Sequence, residues 1–281
     1  MEIFIDTANI EEIKEAISWG VIDGCTTNPK IVSKENVPFE ARMKEILAIV
    51  DGPVSIEVTT NDTNEMVVEA ETYNKWAPNV VIKIPMTIEG LKAVNILSRK
   101  GIKTNVTAAM SMKQAVLAAK SGATYVSLFW GRIEDMGYDA EKVVGDTVQV
   151  FEKYKFKCKI IIGSLRQVSH ISRAIRTGVH VLTIPPAVLK QIPTNPRTES
   201  TIVEFLLFWE EYKKRQNKYL FKKIKKDREV KTDKHCYCCG TEKELTYYKN
   251  LVLKTKGFPV RCPDGYVCKD CINAGRVLGS E

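Results

Sequence analysis

The sequence predicts an α/β protein: a closed (β/α)8 barrel of the TIM type, followed by a small cysteine-rich module. Three observations lead to this prediction. Short runs rich in β-branched residues alternate eight times with segments of helical periodicity. Polar residues recur at the ends of these runs, where barrels of this class carry their functional groups. Six of the eight cysteines lie beyond residue 235.

The predicted strands are short and mostly apolar. They cover residues 2–6, 25–28, 54–58, 80–85, 103–107, 125–129, 159–164 and 179–184. The helices predicted to follow them cover residues 10–19, 39–50, 64–76, 88–100, 112–120, 140–154, 167–176 and 187–192. An open doubly wound sheet is the alternative. It is disfavoured because residues 6–9 indicate a helix cap and not a glycine-rich phosphate loop.

The fourth predicted strand contains a lysine, Lys83, in the otherwise apolar run VVIKIP. Burial disfavours the charged form of a lysine, so such a residue can be a neutral amine. A neutral amine attacks carbonyl groups and forms a Schiff base. Lys83 is therefore a candidate covalent catalyst. The alternative is a structural lysine whose stem crosses the core and whose head reaches solvent or a carboxylate.

Polar residues end seven predicted strands in succession. They are Asp6, Thr27 and Asn28, Glu57, Lys83, Asn105 and Thr107, Ser127, and Ser164 with Arg166. Buried polar groups need partners, so we expect these side chains to surround Lys83 in one site. No histidine falls at a predicted strand end, and carboxylates must therefore carry the protons.

Two carboxylates are available for this proton transfer. Asp6 is suited to accept the proton of a substrate hydroxyl, and Glu57 with Thr107 is suited to hold and activate a water molecule. For either carboxylate, the structural alternative is a salt bridge to Lys83.

The segments after the sixth and seventh strands are suited to binding a sugar phosphate. Arg132 and Arg166 offer guanidinium groups, and Ser164 offers a hydroxyl beside a predicted helix start. The alternative for Arg132 is a surface ion pair with Glu134 or Asp135.

Charged residues are distributed unevenly along the chain: the first part is near neutral and the last part is basic. Residues 1–210 contain 24 Lys and Arg against 25 Asp and Glu, whereas residues 211–281 contain 18 against 9. The basic run over residues 212–226 could contact nucleic-acid phosphates, although a solvated helix face is the favoured interpretation. We predict three parts: a barrel with a C-terminal helix over 1–215, a basic linker over 216–234 and a four-cysteine module over 235–281.

Cysteine spacing predicts a structural zinc site in that module. Cys236 and Cys239 form one CxxC pair, and Cys268 and Cys271 form a second. A zinc-ribbon or treble-clef-like module this small has little core, so the metal would stabilise it. Cys238, Cys262 and His235 are possible substitute ligands.

Neither a targeting segment nor an apolar run of membrane-spanning length is evident in the sequence. We therefore expect a cytoplasmic protein without a membrane partner. In that compartment, cysteines are more often thiols or metal ligands than disulfides.

Several motifs resemble the compact transaldolase family, which also contains the fructose-6-phosphate aldolases. They are DTAN (6–9), TTNP (26–29), VIKIPMT (81–87), NVT (105–107), GR (131–132) and SLR (164–166). The resemblance covers residues 1–215 in order and implies a homo-oligomer, a pentamer or decamer, in which a helix over 201–209 packs on a neighbouring subunit. The alternative is a helix that covers its own barrel.

The resemblance also implies roles for site residues. Lys83 would form the Schiff base, Asp6 would take the proton during cleavage, and Glu57 with Thr107 would hold the catalytic water. The implied substrate-binding residues are Thr27, Asn28, Asn105, Ser127, Phe129, Arg132, Ser164 and Arg166. The implied reaction moves a dihydroxyacetone unit between sugar phosphates and needs no cofactor for catalysis.

Two positions favour transaldolase over aldolase within this family. Aldolase members resemble this chain but have glutamine in place of Glu57 and tyrosine in place of Phe129. The sequence also departs from the family at Leu128, Trp130 and residues 108–109, and Trp130 could narrow the pocket. Two alternatives remain: a fructose-6-phosphate aldolase, and a non-catalytic nucleic-acid-binding or regulatory protein.

Overall fold

The structure is a computed structural model that describes residues 1–228, 245–248, 252–253, 260–261, 265–274 and 277–279. It divides into two compact units, Met1–Asn195 and Pro196–Glu281. No helix in these described ranges is long and apolar enough to span a membrane.

The first unit is a closed barrel of eight parallel strands, as predicted. The strands are β1 (Glu2–Asp6), β2 (Gly24–Thr26), β3 (Val54–Glu57), β4 (Val80–Pro85), β5 (Thr104–Ala109), β6 (Tyr125–Phe129), β7 (Lys159–Gly163) and β8 (Val181–Ile184). Each strand pairs with the next, and β8 pairs with β1 through the register Phe4↔Thr183. The open doubly wound alternative is therefore wrong.

Helices surround the barrel. They are α1 (Ile10–Ser18), α2 (Pro29–Val32), α3 (Phe39–Ile49), α4 (Thr63–Asn74), α5 (Ile88–Arg99), α6 (Met112–Ser121), α7 (Trp130–Asp135), α8 (Ala140–Lys153), α9 (Val168–Arg176) and α10 (Pro186–Leu189). Side-chain caps fix several starts: Asn9 accepts hydrogen bonds from the backbone of Glu11 and Glu12 at 3.1 Å each. Ser111 likewise caps α6.

The alternation of side chains along each strand separates the two faces of the barrel wall. One face packs against the helices and forms the main core, which includes Ile5, Ile82 and Ile84. The other face contributes a small apolar cluster that includes Phe4 and Val81. Asp6 lies two residues after Phe4 on β1, and Lys83 lies two residues after Val81 on β4. The period of two therefore places both polar residues inside the barrel, above an apolar layer.

The second unit begins with a long helix, α11 (Pro196–Arg228). Residues 216–228 of the predicted basic linker are part of this helix. Apolar side chains between residues 202 and 212 are exposed. The remaining elements are β9 (Leu245–Tyr248), β10 (Val252–Leu253), β11 (Val260–Arg261), β12 (Gly265–Cys268), α12 (Lys269–Asn273) and β13 (Val277–Gly279). β12 pairs with β9, and β10 lies between β11 and β13.

The predicted zinc ligands fall only partly within the described residues. Cys268 ends β12, and Cys271 lies in α12 and is buried. Cys236 and Cys239 lie outside the described residues, as do the substitutes Cys238, Cys262 and His235. Across the part of the chain that the structure does describe, no cluster of three or more His, Cys, Asp or Glu is placed to hold a metal ion.

Candidate active site

A cavity of about 330 Å³ opens at the carboxyl ends of the barrel strands. All eight strands contribute to its wall. Nine predicted site residues line it: Asp6, Asn28, Glu57, Lys83, Thr107, Ser127, Phe129, Arg132 and Ser164. Three predicted residues, Thr27, Asn105 and Arg166, do not line this cavity. The sequence-based grouping of strand ends around Lys83 therefore describes one continuous site.

Lys83 lies at the base of the cavity and is only 5% exposed. Its Nζ lies 3.1 Å from Glu57 Oε2 and donates a hydrogen bond of 3.0 Å to the backbone oxygen of Thr27. Glu57 and Lys83 are register partners on β3 and β4, so the sheet itself sets their contact. The salt bridge considered as a structural alternative is present. Because the amine also faces an open cavity, the pair can serve both purposes.

Asp6 is partly buried and lies beside a pair of threonines. Thr26 Oγ1 donates to Asp6 Oδ1 at 2.7 Å, and Thr183 Oγ1 lies 2.6 Å from Thr26 Oγ1. While Asp6 is ionised, Thr26 gives it its hydroxyl hydrogen, so Thr183 donates to Thr26. Burial raises the pKa of Asp6 above its ordinary value; Lys83 and Thr26 oppose this rise, and Glu57 adds to it. A carboxyl group in this setting is suited to exchange a proton.

The Thr107 hydroxyl is buried in the cavity wall and has no hydrogen-bond partner among the described residues. A buried polar atom of this kind is normally satisfied by water or a ligand. Glu57 lines the same cavity, so the two groups together could hold a water molecule.

Two further side chains present polar groups to the cavity. The amide oxygen of Asn28 caps α2 by accepting from the backbone of Ile31 at 3.0 Å, which leaves the Asn28 amino group available. The Ser127 hydroxyl donates to Asn105 Oδ1 at 2.8 Å, so its oxygen can still accept a hydrogen bond from a ligand. Both arrangements suit the recognition of sugar hydroxyls.

Asn105 and Thr27 support the site from behind. Asn105 is fully buried, and its amino group donates to Ser55 Oγ at 3.2 Å. The Thr27 hydroxyl donates to the Ser55 backbone oxygen at 2.9 Å, on the helix side of the barrel. Of the two threonines, only Thr26 presents its side chain to the cavity.

Arg132 and Ser164 lie at the rim of the cavity, whereas Arg166 does not reach it. Arg166 instead forms a two-pronged ion pair with Asp135, with distances of 2.7 and 2.6 Å. The surface pairing that was considered for Arg132 is therefore found at Arg166. Within the described part of the chain, Arg132 makes no such ion pair.

Glu134 occupies a different network behind the rim. Its carboxylate accepts from Trp130 Nε1 at 2.9 Å and from Arg173 at 2.8 Å, and it lies 3.1 Å from His170 Nε2. Trp130 is fully buried in this network and does not line the cavity. The expectation that Trp130 narrows the pocket is therefore wrong.

Sequence reasoning missed Thr26 and Thr183, which complete the surroundings of Asp6. The signal that could have found them is the register of the strands. Asp6 pairs with Thr26, and Phe4 pairs with Thr183. Register partners in a parallel sheet face the same side, so both threonines point inward with Asp6. Ala108, with φ 59, is another unpredicted wall residue.

Comparison with known proteins agrees with this site. The family model described as Transaldolase/Fructose-6-phosphate aldolase matches residues 3–237. A "Probable transaldolase" of Kosmotoga olearia is 50% identical over 214 residues, which is 76% of this chain and 98% of the relative. One of Pelotomaculum thermopropionicum is 47% identical over 213 residues, 76% of this chain and 99% of the relative.

A third relative extends the same likeness. The "Probable transaldolase 2" of Listeria monocytogenes is 46% identical over 216 residues, 77% of this chain and 99% of that protein. About a quarter of the present chain therefore has no counterpart in these relatives. From the family match and these identities, the chain belongs to the transaldolase/fructose-6-phosphate aldolase family.

Proposed function

We propose that this enzyme of the transaldolase family transfers a dihydroxyacetone unit through a Schiff base on Lys83. The donor is a ketose phosphate, sedoheptulose 7-phosphate or fructose 6-phosphate. The acceptor is an aldose phosphate, glyceraldehyde 3-phosphate or erythrose 4-phosphate. One observation carries the proposal: the buried Lys83 amine opens onto the same cavity as the carboxylates of Asp6 and Glu57. The likeness to proteins named probable transaldolases supports the same reaction.

The chemistry follows from these groups. The Lys83 amine bonds to the ketone carbon, one proton is taken up and water leaves, which gives an iminium ion. Asp6 then takes the proton of the hydroxyl on the second carbon from the iminium carbon, while the bond between that carbon and the one next to the iminium carbon breaks. The electron pair moves toward the iminium nitrogen, and the aldose product leaves. The resulting enamine carbon attacks the acceptor aldehyde, Asp6 returns its proton to the new alkoxide, and water releases the new ketose. Glu57 and Thr107 hold that water.

Substrate binding uses other residues of the wall together with Arg166 beside the rim. Asn28 and Ser127 bind sugar hydroxyls, and Arg132 with Ser164 and Arg166 binds the phosphate group. Neither Thr27 nor Asn105 needs to touch the sugar. The Thr27 backbone oxygen orients the Lys83 amine, and Asn105 holds Ser127 in place.

Reductive trapping tests this proposal directly. Borohydride added with fructose 6-phosphate should reduce the imine, so that the peptide containing Lys83 gains mass. Lys83→Met keeps the side-chain length and removes the amine, so it should give no trapped product while keeping the circular dichroism spectrum of the wild type. Trapping that persists in the Lys83→Met variant, or no trapping in the folded wild type, would contradict the proposal.

The aldolase alternative predicts a different acceptor requirement. Phe129 lines the cavity without a hydroxyl to help protonate the enamine, and Glu57 is present in place of glutamine; both favour transfer. Turnover of fructose 6-phosphate should therefore depend on an added aldose phosphate. Rapid release of dihydroxyacetone without an acceptor would favour the aldolase. The non-catalytic alternative has little support, because Lys83, Asp6 and Glu57 are all retained.

The second unit bears on assembly and partners. We infer that the exposed apolar stretch of α11 contributes to a homo-oligomer, a pentamer or decamer, and sedimentation velocity would test this. The basic residues further along α11 make nucleic acid a possible additional partner. Binding that weakens as salt rises would support it, since phosphate contacts release counterions. The cytoplasmic location stays a prediction.

The zinc module also stays a proposal. It is supported by the two CxxC pairs and by the burial of Cys271. Metal analysis of the purified protein should find zinc, and Cys268→Ser should lower its content. Undiminished zinc in that variant would contradict the proposed set of Cys236, Cys239, Cys268 and Cys271.

A further inference from the structure

Asp135 forms an ion pair with Arg166, whose guanidinium group is proposed to bind the substrate phosphate. We propose that Asp135 is a specificity-determining residue, which competes with the phosphate for Arg166 and so sets how strongly the enzyme prefers phosphorylated sugars. This inference rests on the proposed binding of a sugar phosphate by Arg132, Ser164 and Arg166. It concerns the strength of that binding and not the chemistry at Lys83.

The ion pair engages both terminal nitrogens of Arg166. One nitrogen lies 2.7 Å from Asp135 Oδ1, and the other lies 2.6 Å from Oδ2. The two side chains remain 51% and 54% exposed, so solvent and ligands can reach them. Carboxylates and phosphates are the two groups that a guanidinium binds through paired N–H donors. The two N–H donors that bind Asp135 cannot serve a phosphate at the same time, so a phosphate that binds through this end of the guanidinium must displace Asp135.

Arg166 lies close enough to the cavity for a phosphate bound there to replace Asp135 as its partner. Its guanidinium lies against the backbone of Gly131, since a Cβ there would come within 2.6 Å of Arg166 Nε and 2.9 Å of Cζ. Gly131 N–H in turn donates to the Ser164 backbone oxygen at 3.1 Å. Ser164 lines the cavity, and so does Arg132, which follows Gly131 in the chain. Arg166 is therefore held beside the rim but outside the wall.

Asp135 also lies near the second arginine of the rim. It follows Arg132 by three residues on α7, a spacing that places both side chains on one face of the helix. Arg166, as hydrogen-bond donor, lowers the pKa of Asp135, and the charge of Arg132 acts in the same direction. The carboxylate is therefore ionised at neutral pH. A phosphate arriving between the two arginines meets this negative charge as well as the two positive ones.

Asp135→Asn tests the inference, because it removes the charge and keeps the size of the side chain. Exposed ion pairs are weak, so the expected effect is moderate: KM for fructose 6-phosphate should fall by about two- to fivefold. The dissociation constant of inorganic phosphate, measured by calorimetry, should fall similarly. KM for unphosphorylated fructose should stay unchanged, as should kcat.

Asp146→Asn is the matched control. Asp146 is also a half-exposed acid in an ion pair, with Lys142 at 3.1 Å on α8, so its removal changes the net charge equally. It should leave all three constants unchanged. Asp135→Ala, compared by thermal melting, provides a second variant in case the asparagine disturbs the end of α7.

The outcomes separate this inference from the proposed function. A higher KM for fructose 6-phosphate in both Asp135 variants would mean that Asp135 only orients Arg166, and it would overturn the inference. Unchanged phosphate binding would overturn it as well. Arg166→Ala measured in parallel should weaken phosphate binding; if it does not, the proposed phosphate site itself is wrong.

Discussion

Lys83 Nζ lies 3.1 Å from Glu57 Oε2, and strand register holds the two residues side by side. Glu57→Gln should keep this geometry and remove the charge that activates water. We expect turnover of the donor and acceptor pair to fall by about 10²–10⁴, the usual contribution of a general base. Borohydride trapping on Lys83 should persist, although more slowly. Loss of turnover smaller than threefold would exclude Glu57 from the proposed role.

The pH dependence of the reaction should report Asp6. As a base, Asp6 must be ionised, so activity is present above its pKa and is lost as the pH falls through it. Because burial raises the pKa of Asp6 from 3.8, the acid limb of kcat/KM should lie clearly above that value. Asp6→Asn should lose most of the activity at every pH. An acid limb at or below the ordinary carboxyl range would contradict this assignment.

Thr26→Val should move the same limb. The Thr26 hydroxyl stabilises the ionised form of Asp6 through a hydrogen bond of 2.7 Å, and valine has nearly the same shape without the donor. The pKa of Asp6 should then rise further, and the acid limb should shift to higher pH. Thr183→Val acts only through Thr26 and should shift it less. A shift to lower pH in either variant would show that the hydroxyls favour the neutral acid.

Gly131→Ala and Gly145→Ala form a contrasting pair. An alanine at 131 would place its Cβ 2.6 Å from Arg166 Nε and 2.8 Å from the Ser164 backbone oxygen, so the rim must shift. We expect KM for fructose 6-phosphate to rise by about tenfold, in keeping with the loss of a charged hydrogen bond. At Gly145, within α8, a new Cβ meets nothing within 4 Å.

The Gly145→Ala variant is therefore the control for the Gly131→Ala variant. Replacing glycine by alanine in a helix interior should increase the free energy of unfolding by about 0.5–1 kcal/mol and leave KM unchanged. Thermal unfolding and steady-state kinetics check both variants. Equal KM values for the two would show that the contact between Gly131 and Arg166 is not needed for substrate binding.

Much of the barrel could be predicted because its strands are marked by clear runs of β-branched residues. The predicted ranges 2–6, 80–85 and 125–129 agree with β1, β4 and β6. Lys83 was recognisable because a charged residue interrupts such a run. The predicted strand 25–28 was less accurate, since β2 has only three residues, Gly24–Thr26, and alternation cannot be counted over so short a span. Thr27 was therefore predicted to belong to the site, whereas in the structure Thr26 faces the cavity.

The environment of Arg166 could not be predicted from the sequence. Its pairing with Asp135 depends on the turn after β7, where Ser164 has φ 57, and on the close approach of Gly131. Both are tertiary features that leave no periodic pattern in the residues. The short helix α7, which contains Asp135, was not predicted either.

The hydrogen bond between Thr26 and Thr183 joins β2 to β8, the two neighbours of the strand that ends in Asp6. Thr183 lies on the last strand of the barrel, so the hydrogen-bonded surroundings of Asp6 are complete only where β8 closes the barrel against β1. Closure of the barrel and completion of the site around Asp6 therefore require the same strand, β8. The carboxyl group on the first strand therefore depends on the last one for its hydrogen-bonded setting.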